Sequence, residues 1–242
     1  MSIYSHQVMG YDRALTTFSP DGRLLQVEYA REAVKAGTMG FAIKFKDGIL
    51  LAGEKRIIND LVVVSSIEKI SKIDDKIYAI AAGLGGDGKI LIDKARFVAK
   101  QHKFIYGTPA DISYIVREIA NLKQVYTQIG GVRPFGVSII FAGIDISGKR
   151  IFVTEPSGIY YEYKAIAIGS NSDKVNKLLS EKYKDDMSEE EVIELAKEII
   201  KQNKEHNNFE VLIVKEDEVK ELEFKDLDPK KKKKNNKKSE KK

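Results

Sequence analysis

Gly83-Leu84-Gly85-Gly86-Asp87-Gly88 matches the pattern G-x-G-x-x-G. Loops of this kind present backbone amides to a phosphate at the start of a helix. Here the pattern follows a segment that reads as a strand and opens one that reads as a helix. The wider context does not fit a dinucleotide site. The next periodic segment is a second helix, and no strand signal returns until Val137, whereas such a site needs a compact parallel βαβ unit of about 30 residues. The loop therefore reads as a helix start that favours an anion, not as nucleotide chemistry. Lys69, within Ile67-Glu68-Lys69-Ile70, is a second candidate. A lysine ammonium can bind a carboxylate as a point charge. The plainer reading is a solvent-facing strand lysine paired with Glu68 or another carboxylate. His6, His102 and His206 are too far apart to have metal-ligand spacing. There is no cysteine, which excludes disulfides and thiol catalysis.

The elements that position these groups follow from periodicity. Ser19-Pro20-Asp21-Gly22 is a turn signal. A helix is predicted from Arg23, with Leu24, Val27, Ala30 and Val34 as one apolar stripe and Gly37 as a left-handed C-terminal stop. Strands are predicted over Thr38–Phe45 and Ile49–Glu54, joined at Asp47-Gly48. After a polar connection and Val62–Val64, a second hairpin, Ile67–Ile73 with Ile77–Ala82, turns at Asp74-Asp75. Lys89–His102 reads as a helix with Ile90, Ala95 and Val98 inward. Another helix begins at Thr108-Pro109, because proline suits a first helical position. Its broad stripe is Ile112, Ile115, Val116, Ile119, Leu122 and Val125. Strands return over Val137–Ile144, Arg150–Glu155, Ile159–Tyr163 and Ala165–Ile168. Helices follow over Asp173–Tyr183 and Ser188–Gln202, the second with a capping box of Ser188 and Glu191. Phe209–Val214 and Val219–Phe224 close the pattern. Hairpins imply antiparallel sheets, and helices in two groups imply an α+β chain.

The 242 residues suit one large or two small domains, and 43% hydrophobic content supplies a sizeable core. No apolar run reaches the ~20 residues needed to cross a membrane. The first residues lack the charged and apolar regions of a secretory signal. A soluble, intracellular chain is the expectation. The net charge of +5 is misleading, since Lys230 to Lys242 carry nine lysines and one glutamate, and the rest is left mildly acidic at −3. Such a run reads as a disordered, solvated tail rather than a nucleic-acid site.

Tyr11-Asp12-Arg13, then Phe18-Ser19-Pro20-Asp21-Gly22-Arg23-Leu24, then Gln26-Val27-Glu28-Tyr29-Ala30 resembles the N-terminal signature of proteasome α subunits, most like the archaeal ones. Ile67-Glu68-Lys69-Ile70, Tyr126-Thr127-Gln128 and Gly130-Gly131-Val132-Arg133-Pro134-Phe135-Gly136 agree, so the resemblance runs from about Gly10 to Phe224. It implies a four-layer αββα sandwich of the N-terminal nucleophile hydrolase type with an extra N-terminal helix. The expected divisions are a gate segment at 1–10, one domain over 11–228 and a Lys-rich tail at 229–242. The resemblance further implies a non-catalytic cytoplasmic subunit in a seven-membered ring of identical copies. That ring would cap proteasome β subunits and admit unfolded protein. No metal or organic cofactor is expected.

Tyr11, Asp12, Pro20 and Tyr29 match the family's gate cluster, and Met1–Gly10 would be the mobile plug. Ordinary turn packing would account for the same residues. Glu28, Gly37, Lys69 and Leu84 match positions lining the pocket between subunits that receives the C-terminus of an ATPase activator. The glycines at 85, 86 and 88 depart from the family, which has bulkier residues there, often alanine. Resemblance also raises a rival. Proteasome β subunits are cut before a threonine whose freed amine assists it as nucleophile, and Gly37-Thr38 heads a similar strand with Glu54 and Lys69 downstream. Against this, an α-type helix precedes Thr38, an unprocessed Thr38 has no free amine, and the strand begins Gly-Thr-Met rather than with several threonines. The Leu24, Val27, Ala30, Val34 stripe is expected to pack on a neighbouring subunit.

Overall fold

The computed structural model describes residues 15–57, 59, 61–202 and 208–222. Tyr11, Asp12, the 1–10 segment and the 229–242 tail lie outside the described residues. Among the described residues, ten strands form two antiparallel sheets. β1 (Gly40–Phe45), β2 (Gly48–Glu54), β8 (Ala165–Ile168), β9 (Phe209–Lys215) and β10 (Val219–Leu222) make one, in the order β10-β9-β2-β1-β8. β3 (Ile70–Asp74), β4 (Ile77–Gly83), β5 (Val137–Asp145), β6 (Gly148–Thr154) and β7 (Tyr160–Glu162) make the other, in that order.

Side-chain alternation along the strands assigns the layers. In β4, Ile77 and Ala79 face the helices α2 (Gly85–Tyr106) and α3 (Ile112–Tyr126), while Tyr78, Ile80 and Ala82 face the other sheet. In β1, Phe41, Ile43 and Phe45 face α4 (Ser172–Lys182) and α5 (Glu189–Gln202), while Ala42 points between the sheets. Strands buried on both faces read as continuous apolar runs, as Ile49-Leu50-Leu51-Ala52 does. Three apolar layers thus hold helices, sheet, sheet and helices together, the four-layer sandwich that the resemblance implied.

The N-terminal helix α1 spans Leu25–Ala36 and buries Leu25, Val27, Ala30 and Val34. Val34 joins the layer between the sheets. Leu25 takes the buried place predicted for Leu24, which is half-buried ahead of the helix, and the rest of the stripe is used within the chain, so the expectation that it packs on a neighbour is wrong. Unsatisfied apolar surface lies elsewhere. Ile90, Phe97 and Phe104 recur at seven-residue steps along the exposed side of α2, with Phe104 92% exposed. This also corrects the inward placement of Ile90. Val125 is likewise exposed, and α3 starts after Asp111, beyond Thr108-Pro109. Val62–Val64 forms no strand and leads into a single 3-10 turn, Val64–Ser66. The Ser188–Glu191 capping box is formed: Ser188 N–H donates to Glu191 Oε2 at 2.8 Å, and Glu191 N–H to Ser188 Oγ at 3.3 Å.

One charge sits inside the α3 layer. Lys123 is fully buried. Its Nζ donates to Val137 O at 3.0 Å, Thr154 O at 3.1 Å and Thr154 Oγ1 at 2.8 Å, so all three N–H groups are satisfied. Burial pushes its pKa down to about 7. An unfolded lysine titrates near ~10.4, so between these values the unfolded chain binds the extra proton and stability rises with pH. Stability is correspondingly lost as pH falls from the unfolded value toward about 7, and no more is lost below it. Lys123→Met is expected to flatten that rise in melts between about pH 7 and 10. Lys123→Ala removes the same titration and also opens a cavity, so it should cost ~2–5 kcal/mol near pH 10 and less toward pH 7, read by denaturant unfolding.

Candidate functional site

Lys69 lies just before β3, not within it. Its backbone N–H donates to Glu210 Oε2 on β9 at 3.1 Å, and the same carboxylate oxygen is 3.0 Å from Lys55 Nζ. A carboxylate from the other sheet thereby fixes where Lys69 starts. Gly53 fixes where its stem runs: a Cβ at Gly53 would stand 2.4 Å from Lys69 Cγ. The ammonium turns inward. Nζ donates to Thr38 Oγ1 at 2.7 Å, Thr38 O at 3.1 Å and Ala81 O at 2.5 Å. Burial pushes its pKa down to about 8, with buried Glu54 pulling the other way. Lys69 is not the solvent-facing partner of Glu68, whose carboxylate instead lies 3.2 Å from Arg96.

Gly37 does not end α1 in a left-handed conformation. Its φ is −74° and ψ 160°, which any residue adopts. Glycine is needed for close approach: a Cβ there would stand 2.1 Å from Gly83 N. Gly83 needs it for a second reason, a φ of 124°. Leu84 N–H donates to Gly136 O at 2.9 Å, and the Leu84 side chain covers Gly136 while remaining 45% exposed. Gly37, Thr38, Lys69 and Leu84 therefore share one edge, where α1 meets β1, β4 and the start of α2.

Glu28 is not brought to this edge. It lies nine residues before Gly37 on α1, about 13 Å along the axis. Its carboxylate is taken by Arg23, whose Nε donates to Oε1 at 2.7 Å and holds it below the usual carboxylate range. Pro20 and Tyr29 are both exposed, on the turn before α1 and on its outer face. That turn is formed as expected, with Gly22 at φ 74° and its N–H donating to Ser19 O at 2.8 Å.

Two residues that sequence reasoning left out hold Leu84 in place. Asp87, nearly buried in the first turn of α2, takes a bidentate pair from Arg133 at 2.6 and 2.8 Å. It also accepts Gly136 N–H at 2.9 Å. Arg133 keeps the Asp87 carboxyl below its ordinary range. Both belong to quoted motifs, Gly-Asp-Gly and Val-Arg-Pro, but nothing local says that they meet across 46 positions. Gly85 and Gly86 have no neighbour within 4 Å of a Cβ, whereas a Cβ at Gly88 would stand 3.0 Å from Ala81 Cβ, so of these three glycines only Gly88 is closely packed. The nucleotide reading is excluded by topology, because β4 pairs antiparallel with both β3 and β5.

The rival set is brought together. Glu54, 2% exposed, accepts Met39 N–H at 3.1 Å, and Lys69 Nζ meets the Thr38 hydroxyl. A hydroxyl beside an amine is a nucleophile–base arrangement. Thr38, however, has no free amine. Its nitrogen is in a peptide bond to Gly37, whose N–H donates to Val34 O at 3.0 Å and whose carbonyl accepts Ser170 N–H at 2.8 Å. While that bond stands, the threonine lacks the amine base of a processed nucleophile. Among the described residues no acid or histidine cluster could hold a metal ion, and no helix is long and apolar enough to cross a membrane.

Comparison with known proteins identifies the scaffold. Residues 34–214 match the family model of the proteasome subunits, and residues 11–33 match the N-terminal signature of A-type proteasome subunits. A Methanopyrus kandleri protein named as the proteasome alpha subunit is 45% identical over 222 residues, 90% of each chain. Proteins of the same name are 50% identical in Picrophilus torridus, over 78% of this chain and 80% of theirs, and 51% identical in Saccharolobus solfataricus, over 78% of each. An α-type signature ahead of a four-layer proteasome domain leads to one family: the chain belongs to the proteasome subunits, as an alpha-type member of the non-catalytic outer ring.

Proposed function

We propose that this subunit gates entry to the proteolytic chamber and docks an ATPase activator. Seven copies form the ring, β subunits below it carry the proteolysis, and Met1–Gly10 with Tyr11, Asp12, Pro20 and Tyr29 controls passage of unfolded protein. The activator's C-terminus enters between neighbouring subunits, where Lys69 takes its carboxylate. Gly37 and Leu84 line the same edge, and Glu28 is contributed from the other end of α1. The protein works in the cytoplasm, in ubiquitin-independent or regulated protein degradation. The observation that carries this reading is the Lys69 ammonium, held by Thr38 and Ala81 beside the exposed Leu84. The Ile90, Phe97, Phe104 stripe supports assembly, because exposed apolar rows of this kind mark protein contacts.

Native mass spectrometry tests the ring. The intact chain with its β partner should give a closed complex whose α content is a multiple of seven copies. A stable monomer, both alone and with β, would overturn the assembly.

A further inference from the structure

An ammonium has three N–H donors, and at Lys69 all three are taken within the chain. As held, it has no donor to spare. A carboxylate arriving from outside has to displace one of the three acceptors. Two are backbone carbonyls fixed by the fold. Ala81 is paired in β4 with Ile139 of β5, and the Thr38 carbonyl is crowded by Gly169, where a Cβ would stand 2.5 Å away. The third, the Thr38 hydroxyl, is the only side-chain acceptor. It can release the Lys69 N–H and also has an O–H of its own to donate.

We propose that Thr38 is a positioning residue of the docking site, holding the Lys69 ammonium in place while the pocket is empty and yielding it to a terminal carboxylate. The proposal rests on the reading of Lys69 as the carboxylate anchor. Thr38 and Lys69 are both half-buried at this edge rather than sealed in the core. Threonine is stiff about its first side-chain torsion, which keeps the hydroxyl aimed. From the other side, Gly53 leaves only the width of the Lys69 stem. The charged neighbours do not compete for the ammonium: Glu54 is engaged by Met39 N–H, and Glu210 by Lys55 and the Lys69 backbone. The hydroxyl at this strand head is thus kept for geometry, not for nucleophilic attack.

Two readouts on the full chain test this. The first is a brief acetic anhydride pulse, with acetylation of Lys69 measured by peptide mass spectrometry against exposed Lys100. Thr38→Val keeps the shape and removes the hydroxyl. It should free the amine and raise Lys69 labelling about tenfold, the factor expected for one lost bond to a charged group. Thr38→Ser should restore the slow rate. Unchanged labelling in Thr38→Val, or no rescue by serine, would overturn the positioning role.

The second readout, on the assembled particle, is the affinity of a synthetic peptide bearing an ATPase activator's C-terminal sequence, with a free carboxylate or an amide end. Thr38→Val should weaken the free-acid peptide about tenfold, because valine neither aims the ammonium nor donates the O–H that the hydroxyl gives to the arriving carboxylate, and leave the amide unchanged. Equal loss for both peptides would overturn the proposal. If Lys69→Ala left free-acid binding intact, the docking reading itself would fail, and the labelling result would still decide whether Thr38 holds the lysine.

Discussion

Lys69→Ala is expected to lower the affinity of the assembled particle for an ATPase activator by one to two orders of magnitude. The loss of a charge-assisted contact costs ~1.5–3 kcal/mol, and each 1.4 kcal/mol is about tenfold in affinity. Degradation of unfolded protein driven by the activator should fall in parallel. Hydrolysis of very short peptides should barely change, because they need little opening of the ring. The substitution also leaves Thr38 and Ala81 without their donor, so a melting curve of the same sample checks that the edge remains folded. If activator binding survived in a folded variant, the pocket assignment would be wrong even with the ring intact.

The same lysine gives docking a pH dependence with a defined sign. Burial brings its pKa down to about 8. Below that value it is charged and can hold a carboxylate, and above it the neutral amine cannot. Activator affinity should therefore fall as pH rises through about 8. A bound carboxylate stabilises the charged form, so in the complex the loss begins at higher pH.

The layers were legible because period-two and period-three-to-four patterns record burial directly. Most strands fall within about two residues of their predicted ranges, but β3 starts at Ile70, α2 runs from Gly85 to Tyr106 beyond both predicted ends, and α3 starts only at Ile112. Features set by distant contacts were not legible. The inward turn of Lys69 depends on Glu210, 141 positions away, and on the missing side chain of Gly53. Gly37 looked like a helix stop by local rules, whereas its real constraint is the Gly83 backbone. Glu28 and Lys69 were grouped by family likeness, and within one chain they stay apart. Lys123 was passed over because the apolar stripe was read without polar members. Its place seven residues after Val116, on the buried face of α3, was the available signal. The Asp87–Arg133 clamp left no periodic trace, since each residue lies in its own short motif.

The central claim is that this subunit controls entry, and removing residues 2–10 tests it most directly. The deletion spares α1, Lys69 and every described element, so ring and pocket should persist. The measurement is hydrolysis of an unfolded protein by the assembled α/β particle without activator or ATP. The wild-type particle should be slow, and the deleted one should match or exceed the rate that the wild type reaches with its activator. A deleted particle that assembles normally yet still needs the activator to degrade unfolded protein would contradict the account.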